Sequence, residues 1–438
     1  MITIVIVVVG IFLFHLIRSM QIDMTSRRML MLFVVYWFVS LILASLQVFG
    51  MREVGAITFI ILVLGVLSFS IGFIIPAMKR SSKLELVRED VSFQIEGLIN
   101  NVFFRVVIIV ASVYIFTLLA TFFQTLLFYG SLSDVRTDYY SKELYGPLFV
   151  KINTFILRPL YLVVLPVFAY QLLYKRNWLC LIMGFYLFGY ESLGGGRIGY
   201  VRIALGVAFI AYCLLRTFKN NKRQGYTIVA VGAILLFGLL SVVSAARKGE
   251  VGSGSSARQI GSEVALEHLV TYTAGPIAAF DYYLENDLIH KVLGGYQYGN
   301  VTLTPLISFF NLFSSRLGVS FNKSADELIV YKQETMIDLA PDINYWNALY
   351  TANVYYYSDF GVFGVILFPF LYGLLISWLL SKVYKYRSLP LVMILSFCMW
   401  CMMDSVLDYA FTSPYDVLTF IIMYFIGTRK IHRSTAVV

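Results

Sequence analysis

Apolar residues along this chain come in long unbroken runs, not in the two-residue alternation of a half-buried strand or the spaced stripe of a surface helix. The runs cover 2–17, 30–50, 56–78, 103–128, 153–174, 178–192, 197–215, 226–245, 356–381, 389–407 and 414–428. Each is about 15–25 residues long, which suits an α-helix crossing a hydrocarbon core roughly 30 Å thick. No water reaches that core to satisfy free peptide groups, so a spanning segment is a helix or part of a closed barrel. Continuous runs do not fit the alternating barrel pattern. The pattern therefore predicts an all-α integral membrane protein with about eleven transmembrane helices.

The polar positions between the runs alternate in charge. Segments 18–28, 79–88, 175–176, 216–223, 382–387 and 429–433 are basic, and those between them are short and poor in Lys and Arg, or long and acidic. Cytoplasmic loops carry the excess of Lys and Arg, so this alternation places the basic segments and the C-terminus inside and 129–152 and 247–350 outside. The stretch 2–16 has no basic region before it and no small-residue cleavage site, and reads as a retained first span. Three parts result: helices one to eight over 1–246, a large periplasmic loop between the eighth and ninth spans over 247–350, and helices nine to eleven with a cytoplasmic tail over 351–438. The large loop opens on a flexible Gly/Ser stretch, 249–256. A helical spacing follows over 263–284, then an aromatic and glycine-rich turn at 294–299, then a semi-apolar stretch, 303–313, suited to lying along the membrane surface.

Composition sharpens this reading. Of 438 residues, 59% are hydrophobic and 13% charged, against about 45–50% and 25% in soluble domains. The net charge of +9 raises the question of nucleic acid. The outer stretch 247–350, however, holds seven Lys/Arg against eleven Asp/Glu. The positive charge is confined to short loops, so no nucleic-acid partner is expected. All four cysteines, Cys180, Cys213, Cys398 and Cys401, fall in apolar runs, and no disulfide framework is implied. The Cys398/Cys401 pair lacks a second pair and reads as packing. No metal-ligand constellation and no cofactor motif is visible.

The sharpest local feature is Glu191-Ser192-Leu193-Gly194-Gly195-Gly196-Arg197. It lies between two apolar runs, near the outer end of both. Gly195 and Gly196 leave backbone amides open to an anion, and Arg197 begins the next helix, where the dipole also favours negative charge. An arginine at membrane depth is costly and usually functional. Further outer arginines are Arg136, Arg247, Arg258 and Arg316, whose planar bidentate donors suit diphosphate and sugar. Glu263, Glu267 and His268 share one helical stretch and are candidate bases for a sugar hydroxyl. His290 is the other histidine expected outside. Tyr and Phe number 31 and 36, and clusters such as Tyr282-Tyr283 and Tyr355-Tyr356-Tyr357 suit sugar stacking or an interfacial belt. Asp359, Asp404 and Asp408 stand near outer helix ends, where they could pair with these arginines.

Several segments resemble the bacterial oligosaccharide repeat-unit polymerases, the Wzy-type O-antigen and capsule polymerases. The clearest is Asn347, Tyr350 and Thr351, then Tyr357-Ser358-Asp359-Phe360-Gly361-Val362-Phe363-Gly364, ending at Gly373. It is similar to the family's Thr-containing outer segment followed by a DFG-x-x-G helix start. Gly195–Arg197 looks like the family's outer-turn arginine. Tyr272, Gly275 and Pro276, and Gly294-Gly295 with Thr302 and Pro305, resemble its loop pattern, as does the Ser-x-Val-Arg element ending at Arg136. The resemblance runs in order through nearly the whole chain. It departs where some members carry an Arg-x10-Gly repeat: Arg136 and Gly146 have nine residues between them.

The resemblance implies a GT-C-like, metal-independent and cofactor-free glycosyltransferase of the bacterial inner membrane. Its partners would be an undecaprenyl-diphosphate-linked glycan donor and acceptor, membrane lipid and a chain-length regulator. It would transfer the growing glycan from its lipid diphosphate to the non-reducing end of a new lipid-linked unit. Diphosphate and glycan contacts would come from Arg197, Arg247, Arg136, Arg258, Arg316, Gly195, Gly196, Tyr272 and Asp359, with Glu263, Glu267 or His268 as base. An O-antigen ligase shares this donor and topology, and a polysaccharide flippase is the competing class without chemistry.

Overall fold

A computed structural model describes residues 2–80, 88–130, 144–174, 177–193, 198–210, 260–314, 350–410 and 414–428, with Val135, Tyr139, Leu328 and Ile337 besides. The described elements are helices: α1 (Ile2–Ser19), α2 (Met24–Ser45), α3 (Ala56–Met78), α4 (Arg88–Asn100), α5 (Val102–Tyr129), α6 (Gly146–Ile152), α7 (Arg158–Tyr174), α8 (Trp178–Ser192), α9 (Ile198–Ile210), α10 (Ile260–Glu285), α11 (Leu288–Leu293), α12 (Thr304–Ser314), α13 (Asn353–Tyr386), α14 (Leu389–Asp404) and α15 (Pro414–Thr428). Among the described residues six segments are long and apolar enough to cross a membrane: α1, α2, α3, α5, Gly146–Leu172 and α13. Two shorter apolar helices, Leu389–Asp404 and Asp416–Thr428, accompany them. The chain is a multi-pass helical membrane protein. The apolar run 226–245 lies outside the described residues.

Boundaries shift from the sequence expectation for local reasons. Helix α2 begins at Met24, six residues early, because the Asp23 carboxylate accepts the Ser26 amide at 2.9 Å and caps the first turn. The span expected from 153 is instead one path from Gly146, joined to α7 by a π turn over Asn153–Leu157. Helix α4 was not anticipated. Its Gln94 amide holds the Arg387 carbonyl at 2.9 Å and accepts the Leu389 amide at 2.7 Å, bridging the end of α13 to the start of α14. The helical spacing over 263–284 is realised as α10, and the stretch 303–313 is helical as α12, which packs on α15.

The tightest pairing is α3 against α13. Without a hydrophobic drive between helices in lipid, close association depends on small residues that let backbones approach. A Cβ at Gly72 would collide with the Phe370 carbonyl, and one at Gly373 with the Phe69 carbonyl. Toward the N-terminal side of these contacts on both helices, the Ser68 hydroxyl donates to the Ile366 carbonyl at 2.6 Å.

Three of the basic segments meet at one end of this bundle. Arg80, just past α3, is buried there with Asp23. Its Nε donates to Asp23 at 3.1 Å, one Nη to the Ser377 carbonyl and Ser381, and the other to Ser26 and Ser377. The Tyr384 hydroxyl donates to the second Asp23 oxygen at 2.8 Å. Burial lowers the Arg80 pKa, and the Asp23 carboxylate opposes that shift.

Candidate functional site

The opposite end is organised by a break in α13. Phe360 has φ −142° and ψ 21°, and Gly361 has φ 61° and ψ −142°, so the helix stops and restarts there. A side chain at Gly361 would be strained by that positive φ, and its Cβ would lie 3.0 Å from the Tyr296 hydroxyl. The break releases carbonyls that a continuous helix would use. The Ser358 carbonyl accepts the Gln297 amide at 3.0 Å, and the Asp359 carbonyl accepts the Tyr298 amide at 3.1 Å.

Asp359 completes the attachment. It is fully buried, and its two carboxylate oxygens accept the amides of Val301 at 3.0 Å and Thr302 at 2.7 Å. Where the sequence suggested arginine partners, main-chain N–H groups occupy this carboxylate. The Thr302 hydroxyl donates to the Tyr355 carbonyl, and the Tyr409 hydroxyl donates to the Thr302 carbonyl at 2.8 Å. Segment 297–302 is thus fixed onto the broken helix from several directions. Asp359 positions the loop and does not present its charge outward.

What the loop presents outward is aromatic. Tyr298 is 75% exposed and sits edge-on to Phe360, with centroids 5.9 Å apart. Tyr296 lies edge-on to Tyr357 at 6.3 Å and to the His290 imidazole at 6.1 Å. His290 Nδ1 is 2.7 Å from the Asp287 carboxylate, and both side chains are more than half exposed. Helix α11, which carries His290, follows directly on the end of α10, and that end is clamped. Asp281 accepts the Gly55 amide at 2.9 Å and the Thr58 hydroxyl at 2.6 Å. Arg52 pairs with Asp281 and Glu285 and lies over the Tyr282 ring.

A second polar group joins α7 to α15 among the apolar helices. Arg158 follows the π turn and grips Asp416 with both edges, Nε to Oδ1 at 2.8 Å and Nη2 to Oδ2 at 2.7 Å. Asp416 is buried in the first turn of α15. Tyr186 donates to the Leu157 carbonyl at 2.6 Å and Tyr190 to the Asn153 side chain at 2.9 Å, which secures the π turn against α8. π turns recur at functional sites. Ser192 and Tyr200 join the ends of α8 and α9 at 2.6 Å, flanking the glycine-arginine turn.

Of the residues assigned above as bases or as diphosphate and glycan contacts, Asp359 and Tyr272 are described with their side chains. Tyr272 is half-buried on α10 against the core. Glu263, Glu267 and His268 stand on the first turns of α10. At 1.5 Å per residue these positions are about 25–33 Å along the helix from its clamped Glu285 end. Arg136, Gly195, Gly196, Arg197, Arg247, Arg258 and Arg316 lie outside the described residues. Sequence reasoning named His290 but passed over its pairing with Asp287, whose signal was an Asp-x-x-His spacing at the start of a short helix. It also passed over Arg158 and Asp416, whose signal was a charge inside or at the head of an apolar run. Among the described residues no group of His, Cys, Asp and Glu could hold a metal ion. No protein family, curated protein or solved structure matches this chain.

Proposed function

We propose that this protein is a glycosyltransferase that polymerises lipid-linked oligosaccharide repeat units at the outer face of a bacterial inner membrane. In this reading the chain crosses about eleven times, the run 226–245 included, and the Asp23 end with its basic loops faces the cytoplasm. The Asp359 end then faces the periplasm, where an undecaprenyl-diphosphate-linked donor meets the non-reducing end of an acceptor unit.

The observation that carries the reading is what the Asp359-Phe360-Gly361 segment builds. That segment bears the strongest resemblance to the polymerases. Here it breaks a membrane-length helix and pins a tyrosine-rich loop at the break. Aromatic rings with polar rims are the surface that sugar faces stack on. The leaving group is a lipid diphosphate, whose developing charge calls for fixed cations and free amides. Arg197 with Gly195 and Gly196, together with Arg136, Arg247, Arg258 and Arg316, are assigned that role. Arg158, secured near the flanks of the glycine-arginine turn, supports it from within the bundle.

Deleting the gene and examining the surface polysaccharide tests the proposal. Single repeat units on the lipid anchor point to a polymerase. Undecaprenyl-linked polymer that never reaches its acceptor points to a ligase, and units trapped in the cytoplasm to a flippase. Arg197→Ala is expected to leave the protein inserted and folded while abolishing long chains, read as the chain-length ladder on a gel. A normal ladder removes Arg197 from the diphosphate site.

A further inference from the structure

We propose that His290, oriented by Asp287, is the general base that takes the proton from the attacking sugar hydroxyl; this rests on the polymerase reading. Three features meet at this side chain. The Asp287 carboxylate can only accept, so the 2.7 Å contact fixes the imidazole with Nδ1–H donating and Nε2 carrying the lone pair. The imidazole is 57% exposed, so a substrate hydroxyl can reach it. It stands beside Tyr296, whose ring continues to Tyr357, so a sugar stacked on this surface brings its hydroxyls to the imidazole edge.

The anchorage is equally specific. Asp287 and His290 open α11 immediately after the Arg52–Asp281–Glu285 clamp. The Gly294 and Gly295 amides return to the His290 and Ile289 carbonyls and close the turn beneath the ring. Among the described residues, Asp287 and Tyr296 are the titratable groups set directly against the imidazole, with Tyr357 behind Tyr296. Glu263, Glu267 and His268 share a helix with the clamp but lie at its far end.

The step balances without a further reactant. The acceptor oxygen bonds to the donor's anomeric carbon, and its proton passes to His290 Nε2. The bond from that carbon to the diphosphate breaks, and the electron pair leaves on the lipid diphosphate. The imidazolium, steadied by Asp287, then releases the proton to water.

The test uses the full-length protein in proteoliposomes, with lipid-linked repeat units isolated from cells lacking the gene. Wild-type protein is expected to form polymer; if it forms none, the polymerase reading fails and the base assignment fails with it. His290→Gln keeps a polar side chain but cannot accept the proton. It is expected to lower kcat by about 10²–10⁴-fold, with KM and thermal stability unchanged. Asp287→Asn is expected to give a smaller loss in kcat. A His290→Gln protein that polymerises at the wild-type rate, or whose loss follows a lowered melting temperature, overturns the base assignment and leaves the polymerase reading standing.

Discussion

At the Asp23 end of the bundle, a guanidinium with five N–H donors meets five protein acceptors on α2 and α13 and the turn between α1 and α2. At the Asp359 end, the buried charge is a carboxylate that accepts two loop amides, and the groups with chemistry to spare, His290 and the tyrosines, stand exposed around it. The difference teaches that an ionisable side chain at membrane depth is not a site by virtue of its cost alone. Arg80 and Asp23 spend their hydrogen-bonding capacity on one another and on Ser26, Ser377, Ser381 and Tyr384, and so hold helices together. Asp359 is also used up, but what it holds is a surface. The chemistry belongs to groups whose partners orient them and still leave one face free.

That contrast can be broken first at Arg80. Arg80→Met strips a buried carboxylate of its cation and is expected to cost about 3–5 kcal/mol, read as denaturant or thermal unfolding in detergent. Adding Asp23→Asn should restore much of the loss, because the uncompensated charge then disappears. A lone Arg80→Met as stable as wild type would mean the cluster does not bind α3 to α13.

Asp359→Asn is the matching change at the other end. It replaces a charged acceptor facing two amides with a group that both accepts and donates, at an expected cost of about 1.5–3 kcal/mol. Proteolysis within 294–303 should accelerate and polymer length should fall, while the Asp23 end keeps its unfolding behaviour. If the loop stays protected, the carboxylate is not its anchor.

The smallest effect sharpens the comparison. Tyr298→Ala removes a ring that is mostly exposed and is expected to leave stability unchanged. If the ring stacks on a sugar, an interaction of about 0.5–1.5 kcal/mol disappears, and KM for the lipid-linked acceptor rises by roughly two- to tenfold. An unaltered KM would assign the aromatic surface to the membrane interface.

Legibility differed between these regions for physical reasons. Long apolar runs announce helices because a bilayer leaves the backbone few options, and the six long spans were readable on that ground, whereas α10 was readable from its helical spacing of apolar residues. Helix α4 was not, because it is neither apolar nor strongly periodic and is tied by Gln94 to residues almost three hundred positions away. Asp359 stood out as a charge near a span. Its partners Val301 and Thr302 contribute only main-chain amides, which carry no sequence signature. Arg158 and Asp416 each read as an isolated charge until the helices were packed.

The sequence by itself determined that this chain lives in a membrane, that its long apolar segments fold as helices, and that its positive charge is segregated into short polar segments between them, because hydropathy and charge act residue by residue against the solvent. Only the tertiary structure decided which charges pair, where a long helix breaks, and which histidine comes to lie beside an aromatic surface. Those outcomes depend on contacts between residues far apart in the chain, and in hydrocarbon such contacts are selected by shape and hydrogen-bond satisfaction rather than by hydrophobicity.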